Sequence, residues 1–337
     1  MNSTSFSSLK RPAILFPGQG SSWQQALADA AATPVARIRM EQLLNDAQSL
    51  TAAVARPLAS VVPGVVQRIR DAMDADTSHE AIDVLPAVSA PAILLSQIVA
   101  AEDLEQLGLD TTDALFAGHS QGILGAAALN RAKGPQAAEK ALAFAFIMGA
   151  AATNVYGGAD SRSRMLSVRG LTPEQVGEFV VDTQAAPISV INGHRHVVLS
   201  GSPEALAQAR KDIEAAASNY NAKLEVEYGG SEITPVFDSL DVAYPFHVDT
   251  NAPGVELAQQ WADACGITFE TTTPRELAQS ILVDRFDFTE TVRDLIAQGA
   301  SHIFTFDTAT ATIATNLANG SGVAAVSYTH LTLPTKA

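Results

Sequence analysis

An apolar run that passes straight into Gly118-His119-Ser120-Gln121-Gly122 and then into helix-forming residues admits few folds. Ala114-Leu115-Phe116-Ala117 reads as a buried strand, and Ile123 to about Leu129 as the helix that follows it. The two glycines let the backbone turn tightly enough to expose the serine hydroxyl, while the helix N-terminus behind it favours developing negative charge. Strand, sharp turn and helix are the repeating unit of an open parallel α/β sheet. A similar unit opens the chain, where Ala13-Ile14-Leu15-Phe16 ends in Pro17-Gly18-Gln19-Gly20.

Between about Arg162 and Tyr228 the pattern changes. Met165 to Val168 reads as a strand. Thr172-Pro173-Glu174-Gln175 is a capping box that opens a helix through Val181. Strands at Ile188–Ile191 and His196–Ser200 are joined by Asn192-Gly193-His194-Arg195, a hairpin signal. Ser202-Pro203-Glu204 starts a second helix, and Lys223 to Tyr228 alternates as a strand would. The order β-α-β-β-α-β is that of a ferredoxin-like unit, so a small inserted subdomain is expected. Beyond it come Tyr244-Pro245-Phe246-His247, helices at about Val255–Cys265 and Phe288–Gln298, and a strand at His302–Phe306.

Composition removes several function classes. With 47% hydrophobic residues and 17% charged, the chain of 337 residues can bury a core and is not a disordered polymer. Its net charge of -15 repels nucleic acid and anionic lipid, so neither is expected as a partner. The single cysteine, Cys265, excludes an internal disulfide, reads as a small buried hydrophobe, and fits a reduced, cytoplasmic protein. The longest apolar stretch, Ala87 to Ala101, is interrupted by Ser89, Pro91, Ser96 and Gln97. It reads as a core helix capped by Ser89 rather than a membrane span. Met1 to Phe6 lacks the layout of an export signal. Residues 327–337 match no preceding period and read as a non-native tail, resembling translated adapter sequence, with the natural chain expected to continue.

A serine is a weak nucleophile at its own pKa and needs a base beside it. Of the seven histidines, His119 adjoins the serine on the turn itself, His194 lies in the hairpin and His330 in the tail. His79 and His302 lack a loop context. His247, on a loop stiffened by Pro245 where the chain returns from the insertion, is the candidate base for Ser120.

Three motifs in this order, Gly18-Gln19-Gly20, Gly118-His119-Ser120-Gln121-Gly122 and Tyr244-Pro245-Phe246-His247, resemble the malonyl- and acetyl-CoA:acyl-carrier-protein transacylase family. The resemblance covers about residues 10 to 320. In subtype the chain resembles the N-terminal acetyltransferase domain of actinobacterial type I fatty acid synthases, on Gln121 after the serine, the domain's place at the chain's own N-terminus, and a compact segment after His247. This implies an α/β fold in which a parallel-sheet, α/β-hydrolase-like core (10–161 and 229–326) carries a ferredoxin-like subdomain (162–228).

The resemblance also implies an acyltransferase that moves an acetyl or other short uncharged acyl group from coenzyme A to an acyl carrier protein. Ser120 would be the nucleophile, His247 the base, and the backbone N–H groups of Gln19 and Gln121 the oxyanion hole. The histidine would be oriented by backbone carbonyls, which are not legible between Val248 and Ile281. Malonyl-specific relatives carry an arginine on the helix after the nucleophile, where Met148 stands here, which disfavours a charged acyl group; Phe246 would narrow the pocket. Acyl-CoA, the carrier's phosphopantetheine and other synthase domains are the expected partners. No metal or redox cofactor is implied, since no GxGxxG or Walker pattern appears in a suitable context. The alternatives are a malonyl transferase, a serine hydrolase, which would require an acid between Ser120 and His247, and a non-catalytic docking domain.

Overall fold

The computed structural model describes residues 10–19, 23–74, 85–129, 134, 136–156, 164–227 and 232–328. Among them the strands are β1 (Ala13–Phe16), β2 (Leu115–Gly118), β3 (Met165–Arg169), β4 (Ile188–Gly193), β5 (His196–Ser200), β6 (Val236–Ser239), β7 (Phe286–Asp287), β8 (His302–Thr305) and β9 (Ala324–Ser327).

β2, β1, β8 and β9 form a parallel sheet in that order. All four residues of β1 are fully buried, as an uninterrupted apolar strand requires when helices cover both faces of its sheet. The helix Ile123–Leu129 packs on β1 and β2, and against it lie the helices Pro86–Gln106 and Ala137–Tyr156, which are buried along most of their length and pack on each other in the main core. By length and composition Pro86–Gln106 could cross a membrane, but most of it is buried inside the fold. Its cap differs from expectation. The helix begins at Pro86 after Leu85, because proline is preorganised for the first helical position, and Ser89 lies within it with its hydroxyl on the Leu85 carbonyl.

The second sheet has the order β6-β3-β5-β4-β7. Its first four strands pair antiparallel, and with the helices Pro173–Phe179 and Pro203–Glu227 they follow the expected ferredoxin-like order. The Thr172 capping box forms as expected. One expected strand does not form: Lys223 to Glu227 continues the helix begun at Pro203, and Tyr228 lies outside the described residues. Six alternating residues were too short a sample to outweigh the helical run that feeds them. The edge strand is Val236–Ser239 instead, reached by a loop that Asn221 clamps through both the N–H and the carbonyl of Ile233. The inserted unit therefore reaches residue 239, beyond the expected boundary at 228.

The core and the insertion are joined by more than their connecting chain. β7 follows the Leu282 helix end in the core segment, yet pairs in parallel with β4 of the inserted sheet. At the other end of the core sheet, Ser327 completes β9 and the Tyr328 N–H donates to the Thr305 carbonyl. Residues 327 and 328 of the expected tail are thus paired into the core sheet, and 329–337 lie outside the described residues.

Candidate active site

Each glycine of the elbow is fixed by a close approach. A Cβ on Gly118 would lie 2.0 Å from the Gly122 carbonyl carbon, and one on Gly122 would lie 2.0 Å from the Phe16 carbonyl oxygen of β1. Only a backbone without side chains can turn this tightly between β2 and its helix while lying on β1. Ser120 itself adopts φ +51°, a left-handed conformation that costs an L-residue roughly 1–3 kcal/mol. Its Oγ lies 2.7 Å from His247 Nε2.

His247 also sits at positive φ (+60°) and is buried. Its Nδ1 lies 2.7 Å from the backbone carbonyl of Asp284. A carbonyl can only accept, so Nδ1 carries the proton and Nε2 is left to accept from the serine hydroxyl. Desolvation by burial lowers the His247 pKa to about 4, outweighing the opposing bond to Asp284. The imidazole is therefore neutral at physiological pH, the state a general base needs.

The acceptor for His247 lies beyond the segment Val248–Ile281, and it comes from the main chain rather than a carboxylate. A second residue in that segment also matters. Asn251 is buried four residues after the base, and its amide donates to the carbonyls of Pro245 and Leu282 at 2.6 and 2.7 Å. The Val248 N–H adds a bond to Leu282 O. An asparagine immediately before the proline-bearing start of a helix (Asn251-Ala252-Pro253) was the available signal, but it sits in a single 3₁₀ turn with no strand pattern to mark it.

The first-strand motif lies beside the elbow. A Cβ on Gly18 would meet the His119 carbonyl at 2.7 Å and Ser120 Cβ at 3.2 Å, and Gln97 Nε2 anchors the Pro17 carbonyl. Gln19 and Gln121 dock their side chains on consecutive residues of one helix, Ser89 Oγ at 2.7 Å and the Ala90 carbonyl at 3.1 Å. Gly20, His79 and His330 lie outside the described residues. His119 bonds Asn192 Oδ1 at 2.8 Å and stands edge-on to Phe286 and Phe288, while His194 is exposed on the hairpin.

Beside Ser120 lies a cavity of about 50 Å³, walled by Met165, Val190, Val198, Val242, Phe246 and Ile281 together with polar groups of His119, Asn192, Gln19 and Gln121. Among the described residues no lysine or arginine lines it. Phe246 lines this cavity, whereas Met148 is buried in the main core on the helix Ala137–Tyr156 and lines neither this cavity nor the larger cleft. His119 and Asn192 also border that cleft, about 830 Å³, which runs between the core and the inserted sheet.

The fold thus sets a serine on a strand–helix elbow, bonded to a histidine and facing an inserted antiparallel sheet. Residues 164–239 match the family model described as the fatty acid synthase central AT domain. Among solved structures, the chain is similar to the malonyl CoA-acyl carrier protein transacylase of Clostridium perfringens, at 16% identity and TM-score 0.64, over 96% of this chain and 94% of that one. It is similar to the acyl carrier protein S-malonyltransferase of Vibrio cholerae at 18% identity and TM-score 0.64, over 94% and 97% of the two chains. A malonyl-transacylase bound to the acyl carrier protein of a type II polyketide synthase matches at 19% identity and TM-score 0.64, over 96% and 97%. No match was found among curated protein sequences. The chain has the fold of these transacylases, and its inserted segment matches the acyltransferase family model.

Proposed function

We propose that the chain transfers a short, uncharged acyl group, acetyl above all, from coenzyme A to the phosphopantetheine thiol of an acyl carrier protein, through an ester on Ser120. The observation that carries the reading is the Ser120–His247 pair, with a neutral, carbonyl-oriented imidazole 2.7 Å from the hydroxyl. Nε2 takes the Ser120 proton as Oγ attacks the thioester carbonyl. The thioester C–S bond breaks, and the coenzyme A sulfur leaves with the proton from His247. The carrier's thiol then gives its proton back to Nε2, attacks the ester, and restores the serine. The side-chain anchors of Gln19 and Gln121 support their main-chain N–H groups as donors to the oxyanion; one such donor is worth about 3–4 kcal/mol in the transition state. These steps call for no metal or redox group.

The cavity beside Ser120 supports the acyl assignment. Its volume of about 50 Å³ gives room for about three to four water-sized groups, which suits acetyl better than a longer chain. The described residues around it offer a malonyl carboxylate no cationic partner, and burial without one costs about 3–5 kcal/mol. The similar structures above are malonyl transferases, which makes malonyl the rival donor. That one of them holds an acyl carrier protein supports the same partner here. The larger cleft beside the dyad is the expected path for the pantetheine arm. A cytoplasmic setting, beside the other domains of a fatty acid synthase, follows from the same reading.

Mass spectrometry of the intact chain, incubated with an equimolar mixture of acetyl-, propionyl-, malonyl- and palmitoyl-CoA, tests the assignment. An acetyl ester on Ser120 is expected. Malonyl loading at the same rate would make a malonyl or dual transferase the better description.

A further inference from the structure

The histidine loop is held from two directions, and only one of them belongs to the core. From the core side, Asn251 and Val248 tie it to Leu282, and Asp284 takes the Nδ1 proton. From the inserted sheet, Ser200 at the end of β5 donates its hydroxyl to the Phe246 carbonyl at 2.9 Å. Ser200 is fully buried, and its Oγ also lies 2.8 Å from Ser189 Oγ, another fully buried hydroxyl, on β4. The Phe246 carbonyl belongs to the peptide that leads into His247, whose φ of +60° is a conformation that relaxes unless its surroundings hold it.

We infer that Ser200 is a positioning residue for acyl transfer: its bond to the Phe246 carbonyl holds the peptide before His247 in its left-handed turn and keeps Nε2 on the Ser120 hydroxyl. The inference rests on the reading of His247 as the base. Without that donor the buried Phe246 carbonyl loses a partner, and the peptide is free to rotate toward negative φ, carrying the imidazole off the serine. The dyad is then closed only while the inserted sheet sits against the core.

The test is single-turnover acylation of the full chain by acetyl-CoA across pH, comparing wild type, Ser200→Ala and a control. Ser200→Ala should slow acylation about tenfold or more, with the apparent affinity for acetyl-CoA within about twofold. The acid limb of its pH profile should rise from near 4 toward 6.5 as His247 gains access to water. Thr51→Ala removes another buried hydroxyl, bonded to the Ala47 carbonyl and lining neither the cavity nor the cleft. It should lower the melting temperature comparably while leaving the rate and the acid limb unmoved. If the alanine variant does not accumulate folded, Ser200→Cys, a weaker donor of similar size, gives the same readings. A folded Ser200 variant with wild-type acylation and an unmoved acid limb overturns the inference. Undiminished acylation by Ser120→Ala or His247→Ala would instead remove the reading of the dyad itself.

Discussion

The two halves of the dyad are built in opposite ways. The serine half is local: Gly118, Ser120 and Gly122 lie within one turn, and the strain at Ser120 is contained by backbone packed on β1. The histidine half is distributed. His247 at φ +60° is held by Asn251, by carbonyls at Leu282 and Asp284, and by Ser200 from the other sheet. A local device survives changes elsewhere in the chain and fails all at once when its own residues change. A distributed device fails in degrees, according to which tether is cut.

The largest effect should come from the local half. Ser120→Ala removes the atom that forms the ester, and acyl transfer should fall by about 10⁴-fold or more with no acylated chain detectable by mass spectrometry. Gradual loss there would break the contrast.

Cutting one tether of the distributed half should cost less. Asn251→Ala leaves the buried Pro245 and Leu282 carbonyls short of donors, so about 1–3 kcal/mol of stability is expected to go, measured by urea unfolding. Acyl transfer should drop by about 10- to 100-fold but remain measurable. Activity as low as that of Ser120→Ala would show that Asn251 belongs to a unit as indivisible as the elbow.

Acid sharpens the comparison further. The folded pKa of His247 is lowered to about 4 from 6.5, so the unfolded chain binds more protons between those values. Stability from this group is fully present above about pH 6.5 and is lost as pH falls toward 4. Half-buried His196, lowered to about 4 by desolvation with Arg169 nearby, adds to the same window. Thermal melts should move down by several degrees between pH 7 and pH 5, while the acylation rate, set by neutral His247, should hold until near pH 4. A rate that halves near pH 6.5 would mean the imidazole is solvated.

The smallest effect is expected at Asp284, whose carbonyl, not its carboxylate, accepts from His247. The carboxylate accepts a bond from Gln279 at the surface. Asp284→Ala should therefore leave acyl transfer within about threefold of wild type in steady-state assays. A loss of 10³-fold or more would restore the acid-assisted triad of a serine hydrolase.

The same asymmetry decided how much could be read from the sequence. Ser120, its glycines and the flanking strand are contiguous, so composition and order exposed them. His247 was found because a proline-stiffened loop returns there from the insertion. Its acceptor is a main-chain atom 37 residues further on, which no residue type announces. Ser200 read only as the last residue of a strand, and its contact with Phe246 depends on how the two sheets meet. Met148 failed for a related reason: helical order placed it after the nucleophile, but which face turns to the cavity was fixed by packing of Ala137–Tyr156 against Pro86–Gln106. The strand misplaced at Lys223–Tyr228 shows the limit of a six-residue alternation, whereas the capping box at Thr172 was exact to the residue because both partners lie three positions apart.

The short segment from Asp284 to Phe288 has a consequence for the order in which the molecule comes into being. It supplies the His247 acceptor, pairs as β7 with β4, and packs Phe286 and Phe288 against His119. On a ribosome, Ser120 emerges long before this segment, and His247 emerges without its carbonyl. Until residue 284 has cleared the exit tunnel the growing chain holds a serine and an imidazole without its Nδ1 acceptor, so on the proposed reading any acylation by coenzyme A thioesters is slow at that stage. Chemical competence arrives late in synthesis, when both sheets have something to close upon.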